Sequence, residues 1–193
     1  MRNNILLIRM LIKDGIFVVG IDDAPHEREN LTTELFFIFC RGTFLERIDH
    51  ATIDVDGLNS TEMVIKKLKP IQDQFQIIIT HGLTTGGFNV LDIEMINNIL
   101  DTPVIAVTEN SPKGNFLEAI KNLPNYEKRK LIIERAGPQY STLTPIGEKE
   151  VYFQYKGIEK KLAIQFLKKF SLHSRLPEQL LLAHKIASGW TLK

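Results

Sequence analysis

The chain has 193 residues, 44% hydrophobic and 24% charged, with a formal net charge of +1. These values exclude a disordered or fibrous chain, and the length suits a single domain over residues 1–193 with a sizeable core. No apolar run reaches the roughly 18 residues that span a bilayer, and "MRNNILLIRMLIKDG" is broken by Arg9 and Lys13 without a small-residue cleavage site. A cytoplasmic protein with no membrane partner is expected. The single cysteine, Cys40 in "LFFIFC", has no disulfide partner and no zinc-type Cys/His cluster around it, which leaves core packing.

The net charge conceals a polarity. Residues 1–112 carry 9 basic and 16 acidic side chains, or −7, and residues 113–193 carry 15 basic and 7 acidic, or +8. If the two halves share a cleft, carboxylates from one and cations from the other can serve metal and phosphate together. Alternatively the like charges solvate exposed helix faces.

In chain order, "GIFVVGID" is a short β-rich run ending in carboxylates, and "TELFFIFCRG" is a second strand bounded by Gly42. "FLERIDHATIDVD" keeps an imperfect period of two and, joined through "RGT", reads as the antiparallel partner of the second strand. Asn59 or Ser60 is the expected N-cap of a helix over "STEMVIKKLKPI". Strand "FQIIIT", helix "NVLDIEMINNIL", strand "PVIAVT" and helix "GNFLEAIKNL" then alternate, and the run Ile77-Ile78-Ile79 fits a strand buried on both faces of a parallel sheet. "KLIIERA" and "EVYFQYKG" read as two more strands, with "GPQYSTLTPIG" as a turn-rich connection. "IEKKLAIQFLKKF" sets Ile158, Leu162, Phe166 and Phe170 four apart and Lys160, Lys161 and Lys168 on another side, an amphipathic helix with a basic face. A last helix runs from Pro177 to Gly189. Three strands followed by βαβα is the order of the α/β ribonuclease-H-like fold, a mixed central sheet with helices on both faces. Other α/β layouts share the same period pattern.

Four stretches can carry chemistry. Asp22 and Asp23 close the first strand, and consecutive strand residues point to opposite faces, so one of them faces a given cleft. A carboxylate there can hold Mg²⁺ with oxygen ligands, or the pair can cap the strand as an Asx-type turn before Pro25. "DVDGLNSTEMV" offers Asp54, Asp56 and Glu62. Glu62 or Asp56 can be a second metal ligand, or Asp56-Gly57 a plain turn and Glu62 a capping-box acid reaching back to Asn59. "THGLTTGGFNVLDI" puts His81 at a strand end, ahead of glycines and a helix N-terminus that can present N–H groups to an anion. It is neither a P-loop nor a GxGxxG, and His81 alone reads as a ligand or as a structural histidine. "RLPEQLLLAH" carries Arg175, Glu178 and His184, which need not share one site.

Taken together and in this order, "GIDDAP", "IIITHGLTTGGFNVLDI", "TPVIAVTENSP" and "RLPEQLLLAHKIAS" resemble a largely archaeal family, the domain-of-unknown-function family numbered ninety-nine. That family is similar to endonuclease V, a ribonuclease-H-like, Mg²⁺-dependent enzyme that cleaves strands near deaminated bases such as inosine. The resemblance covers Gly20 to Ser188. It implies that Asp22 is the first catalytic aspartate and that Glu62, or Asp56 by a slip of register, is the catalytic glutamate. It also implies that His184 takes a metal-proximal helix position. At His81 the chain departs from the aspartate the resemblance leads one to expect. Mg²⁺ prefers carboxylate oxygen whereas imidazole suits Mn²⁺ or Zn²⁺, so Mg²⁺ binding should weaken. The wedge and hypoxanthine-pocket segments of endonuclease V are not recognisable, so inosine specificity does not carry over.

Three functions follow as expectations. The first is a metal-dependent phosphodiesterase on DNA or RNA, using Mg²⁺ or Mn²⁺ at Asp22, Glu62 and His81 with His184 assisting. The second is an inactive nucleic-acid-binding module whose Lys160, Lys161, Lys168 and Arg175 meet phosphates. The third is an α/β protein whose glycine loop takes a small anionic ligand.

Overall fold

The structure is a computed structural model and describes residues 13–27, 29–110 and 116–190. The interrupted apolar segment at the start of the chain therefore lies, up to residue 12, outside the described residues. The first run forms β1 (Phe17–Asp23), followed by β2 (Thr32–Arg41) and β3 (Phe44–Asp54). Helix α1 (Ser60–Leu68) runs into a 3-10 segment, Lys69–Gln74, ahead of β4 (Ile77–His81). A two-stranded ribbon, β5 (Thr84–Thr85) and β6 (Asn89–Val90), precedes α2 (Ile93–Leu100) and β7 (Val104–Thr108). Then come α3 (Phe116–Ile120), α4 (Tyr126–Ala136), β8 (Tyr140–Leu143), β9 (Glu150–Lys156), α5 (Lys160–Phe170) and α6 (Glu178–Ser188).

Seven strands form one mixed sheet in the order β3-β2-β1-β4-β7-β9-β8. β1 is antiparallel to β2 and parallel to β4, β7 continues the parallel part, and β9 runs antiparallel to β7 and β8. Each face is closed by its own core. On one side α5 and α6 lay Phe166, Phe170, Leu180 and Ala183 over Val18, Phe36, Ile77 and Ile105. On the other, α1 and α2 lay Val64, Leu68, Ile96 and Leu100 over Val19, Phe37, Ile78 and Val104. The alternation of Val18 and Val19, or Ile77 and Ile78, between the two cores is the period of two that puts successive strand side chains on opposite faces. Cys40 is buried in the first core, where burial and the nearby Glu46 charge push its thiol up to about 11.

Two sequence expectations need correction. "KLIIERA" is the end of helix α4, not a strand: Arg129, Ile132 and Ala136 are buried at helical spacing while the intervening charged residues are not. The apolar Leu131-Ile132-Ile133 run suggested a β-strand, but only Ile132 is buried among the three. The connection expected over "GPQYSTLTPIG" contains edge strand β8. Asn59 is the N-cap of α1 but makes no side-chain capping bond, because its Oδ1 accepts instead from the Asp54 backbone N–H and from Asn89 Nδ2.

Gly20 sets the height of α6 above the sheet. A Cβ there would stand 2.4 Å from the Gln179 carbonyl oxygen at the start of that helix, so only glycine lets α6 rest directly on β1. Gly20→Ala is expected to lower stability by about 1–3 kcal/mol through overpacking. Gly15→Ala, with nothing within 4 Å of the added carbon, should stay within about 0.5 kcal/mol. Urea titration of the two variants checks this, and equal midpoints would refute the contact.

Candidate metal and catalytic site

β1 ends with its last two side chains on opposite faces of the sheet. Asp22 turns toward α6 and is 5% exposed. Its Oδ2 lies 3.2 Å from His81 Nδ1 and 2.8 Å from His184 Nδ1. An ionised carboxylate only accepts, so both imidazoles donate from Nδ1. The parallel register that pairs Ile21 with Thr80 brings His81, the last residue of β4, beside Asp22. α6, seated over Gly20, brings His184 from 162 residues away. The two rings meet edge to face with centroids 5.1 Å apart. One ligand atom from each of Asp22, His81 and His184 lies within 4.8 Å of the others, close enough to share one cation. A carboxylate and two imidazoles suit Mn²⁺ or a later transition metal better than Mg²⁺, which favours an all-oxygen shell.

Burial disfavours the His81 imidazolium, but the hydrogen bond and charge of Asp22, with Asp23 and Glu109 behind it, outweigh burial and raise its pKa above 6.5. Its protonated form therefore stabilises the fold below pH 6.5, and that contribution fades as pH rises through the raised value.

Asp23 points the other way. Its Oδ2 accepts the Gly86 backbone N–H at 2.9 Å, and Asp56 Oδ1 accepts that of Phe88 at 2.8 Å. The two carboxylates thus clamp the glycine loop from either side, with Asp56 itself in the left-handed region at φ 54. Behind them Arg129, 1% exposed, donates to the carbonyls of Asp56, Gly57, Phe88 and Pro124. A lone arginine in a charged helical stretch gave no sequence signal of this role.

The other candidates stand elsewhere. Glu62 is exposed on the first turn of α1, and neither it nor Asp56 belongs to the Asp22–His81–His184 group. Lys160, Lys161 and Lys168 are exposed on α5, with Lys160 Nζ 3.8 Å over the Tyr140 ring. Arg175 is engaged within the fold: Nη1 donates to the Glu109 and Glu150 carbonyls and Nε pairs with the Glu109 carboxylate at 3.2 Å.

Two clefts meet at His81. One, of about 370 Å³, holds Asp22, Asp23, His26, His184 and Ser188. The other, of about 580 Å³, is walled by Leu83, Phe116 and Ile133 with Asn110, Gln139 and Gln154 as its amides. The sequence does not show the second as a cleft, because its lining comes from five separate segments that only the fold brings together.

Burial raises the Asp23 pKa from 3.8 to about 6, opposed by the Gly86 hydrogen bond and reinforced by the Asp22 charge. A carboxyl whose folded pKa is raised binds more protons folded than unfolded, so stability falls as pH rises from 3.8 to 6. In metal-free protein, Asp23→Asn should match wild type near pH 4 and exceed it near pH 7 by up to about 3 kcal/mol. Denaturant titrations in chelator at both pH values measure this, and a constant difference would contradict it.

Against known proteins, the model of the family described as endonuclease dU matches residues 14–191. The UPF0215 protein of Methanopyrus kandleri is 35% identical over 184 residues, covering 93% of each chain. That of Nanoarchaeum equitans is 36% identical over 177 residues, covering 90% of this chain and 87% of the relative. Among solved structures, a protein of unknown function from Archaeoglobus fulgidus superposes with a TM-score of 0.79 at 29% identity, over 89% of this chain and 96% of its own. Human endonuclease V superposes with a TM-score of 0.60 at 9% identity, over 96% and 94%. At that identity the likeness is one of fold, and it is the ribonuclease-H-like fold. With nearly the whole chain matched, the protein belongs to the endonuclease dU family.

Proposed function

We propose that this chain is a divalent-metal-dependent endonuclease that hydrolyses a DNA phosphodiester beside a deaminated base. The observation that carries the reading is the convergence of Asp22, His81 and His184 at one end of the sheet, next to a cleft of about 580 Å³ with room for a base. The family description names an endonuclease and dU. A structural neighbour, the endonuclease V of Ciona intestinalis, is described in complex with DNA containing an inosine.

In this reading Asp22, His81 and His184 are the metal ligands, in keeping with their donor set. A bound divalent ion would lower the pKa of a coordinated water and offset charge on the phosphate. The chain's own residues do the rest. Asp22 fixes both imidazoles through one oxygen, so loss of its charge loosens two ligands at once. Asp23 and Asp56 hold the glycine loop, whose left-handed Gly82 follows His81 directly and lines the larger cleft. The larger cleft offers apolar sides for a flat ring and amides at Asn110, Gln139 and Gln154 for its polar edge. The exposed α5 lysines add salt-dependent attraction to the backbone.

Incubating the protein with a deoxyuridine-containing oligonucleotide and Mn²⁺ should give cleavage that Asp22→Asn reduces on the order of 100-fold or more. Equal residual rates in wild type and variant would remove the enzyme reading. Tight, salt-dependent binding without cleavage under any metal would favour an inactive binding module instead.

His81→Asp tests the altered ligand. Restoring a carboxylate is expected to raise the Mg²⁺-supported rate relative to the Mn²⁺-supported one by about tenfold. An unchanged ratio would separate His81 from the ion.

A further inference from the structure

The cleft that begins at Asp22 extends along α6 to Ser188, and two residues further on stands Trp190, 40% exposed. Across the sheet the ladder places Phe36 beside Asp22 and His50 beside Phe36. His50 is thus two strand spacings, about 10 Å, from the Asp22 backbone, on edge strand β3. The Trp190 ring centroid lies 5.4 Å from that of Phe36 and 5.8 Å from that of His50. Phe36 is buried beneath the pair. The His50 side chain is 52% exposed, yet held: Nδ1 lies 2.7 Å from Glu34 Oε2, and the other oxygen of Glu34 accepts from Thr52 Oγ1 at 2.8 Å.

An indole and an imidazole that are partly open to solvent and braced from below by Phe36, the imidazole also fixed laterally by Glu34, offer flat faces for stacking. Base stacking on such rings is tolerant of sequence because every base has a π-face. Trp190 follows Ser188 of the Asp22 cleft by two residues and Phe36 pairs with Asp22, and this adjacency selects a nucleic-acid strand over a protein partner: a strand leaving the cleft past Ser188 meets these two rings next. We propose that Trp190 and His50 stack an unpaired base of the DNA strand as it leaves the Asp22–His81–His184 cleft. The proposal rests on the nuclease reading and adds a subsite to it.

Trp190 is the only tryptophan of the chain, so intrinsic fluorescence reads this position alone. Titrating metal-free protein with a short thymidine oligomer should quench the emission in parallel with the anisotropy rise of the same oligomer carrying fluorescein. Trp190→Ala should weaken binding about tenfold, Trp190→Phe should retain most of it, and His50→Ala should give a smaller loss. Binding seen by anisotropy, with Trp190 emission unchanged and Trp190→Ala unaffected, overturns the platform and leaves the nuclease reading standing. Absence of both binding at low salt and cleavage removes the two together. A concentration-dependent blue shift without DNA, accompanied by a dimer mass, shows a second copy covering the ring and also overturns the proposal.

Discussion

One carboxylate oxygen, Asp22 Oδ2, organises the site. A buried carboxylate is costly unless it is hydrogen-bonded, and here its two imidazole partners arrive from β4 and α6. Neither can be supplied locally. His81 depends on the parallel register between β1 and β4, and His184 depends on α6 lying flat against β1, which the missing side chain of Gly20 allows. The same oxygen therefore connects strand register, helix packing and the donor set for a cation.

The opposite side of β1 has a different task. Asp23 and Asp56 take backbone N–H groups of the glycine loop, and Arg129 collects the carbonyls around it. Between them they satisfy the polar backbone of a loop that carries no regular structure beyond the β5–β6 ribbon. This loop begins directly after His81, so anchoring it steadies a candidate ligand position. Adjacent residues of one strand thus divide the labour, with Asp22 facing the candidate cation and Asp23 securing the frame.

Much of the fold was legible because its signals are local: unbroken apolar runs at Ile77–Ile79 and Val104–Val107 for strands, and four-residue spacing from Leu162 to Phe170 for helix α5. Helix α4 was not, because its burial rests on Arg129, Ile132 and Ala136, and a buried arginine is invisible to a hydrophobicity pattern. In the site, the end of β1 and the histidines could be singled out as residues. Their convergence is a property of chain topology, which no spacing encodes. Asp56 and Glu62 looked equivalent in sequence, since both are acids near the start of a helix. Asp56 anchors the loop backbone while Glu62 faces solvent. Asn59 holds the N-cap position the sequence suggested, but its oxygen accepts from Asn89 and the Asp54 N–H and not from the helix.

His81 borders both clefts, so in the proposed reading it is the point at which metal chemistry and substrate recognition meet. With one carboxylate and two neutral imidazoles, the donor set offsets only one unit of a divalent charge. A set with a second carboxylate would offset two. The consequence runs in opposite directions for the two partners. A cation would be held less strongly, above all a hard one such as Mg²⁺, and would compete with the proton on His81, which Asp22 makes more basic. Whatever anion then enters the cleft meets more residual positive charge, in surroundings where partial burial strengthens each interaction. In the proposed reading a histidine at the end of β4 thus shifts attraction from the ion toward the phosphate, which makes metal identity, more than metal presence, the variable on which the site turns.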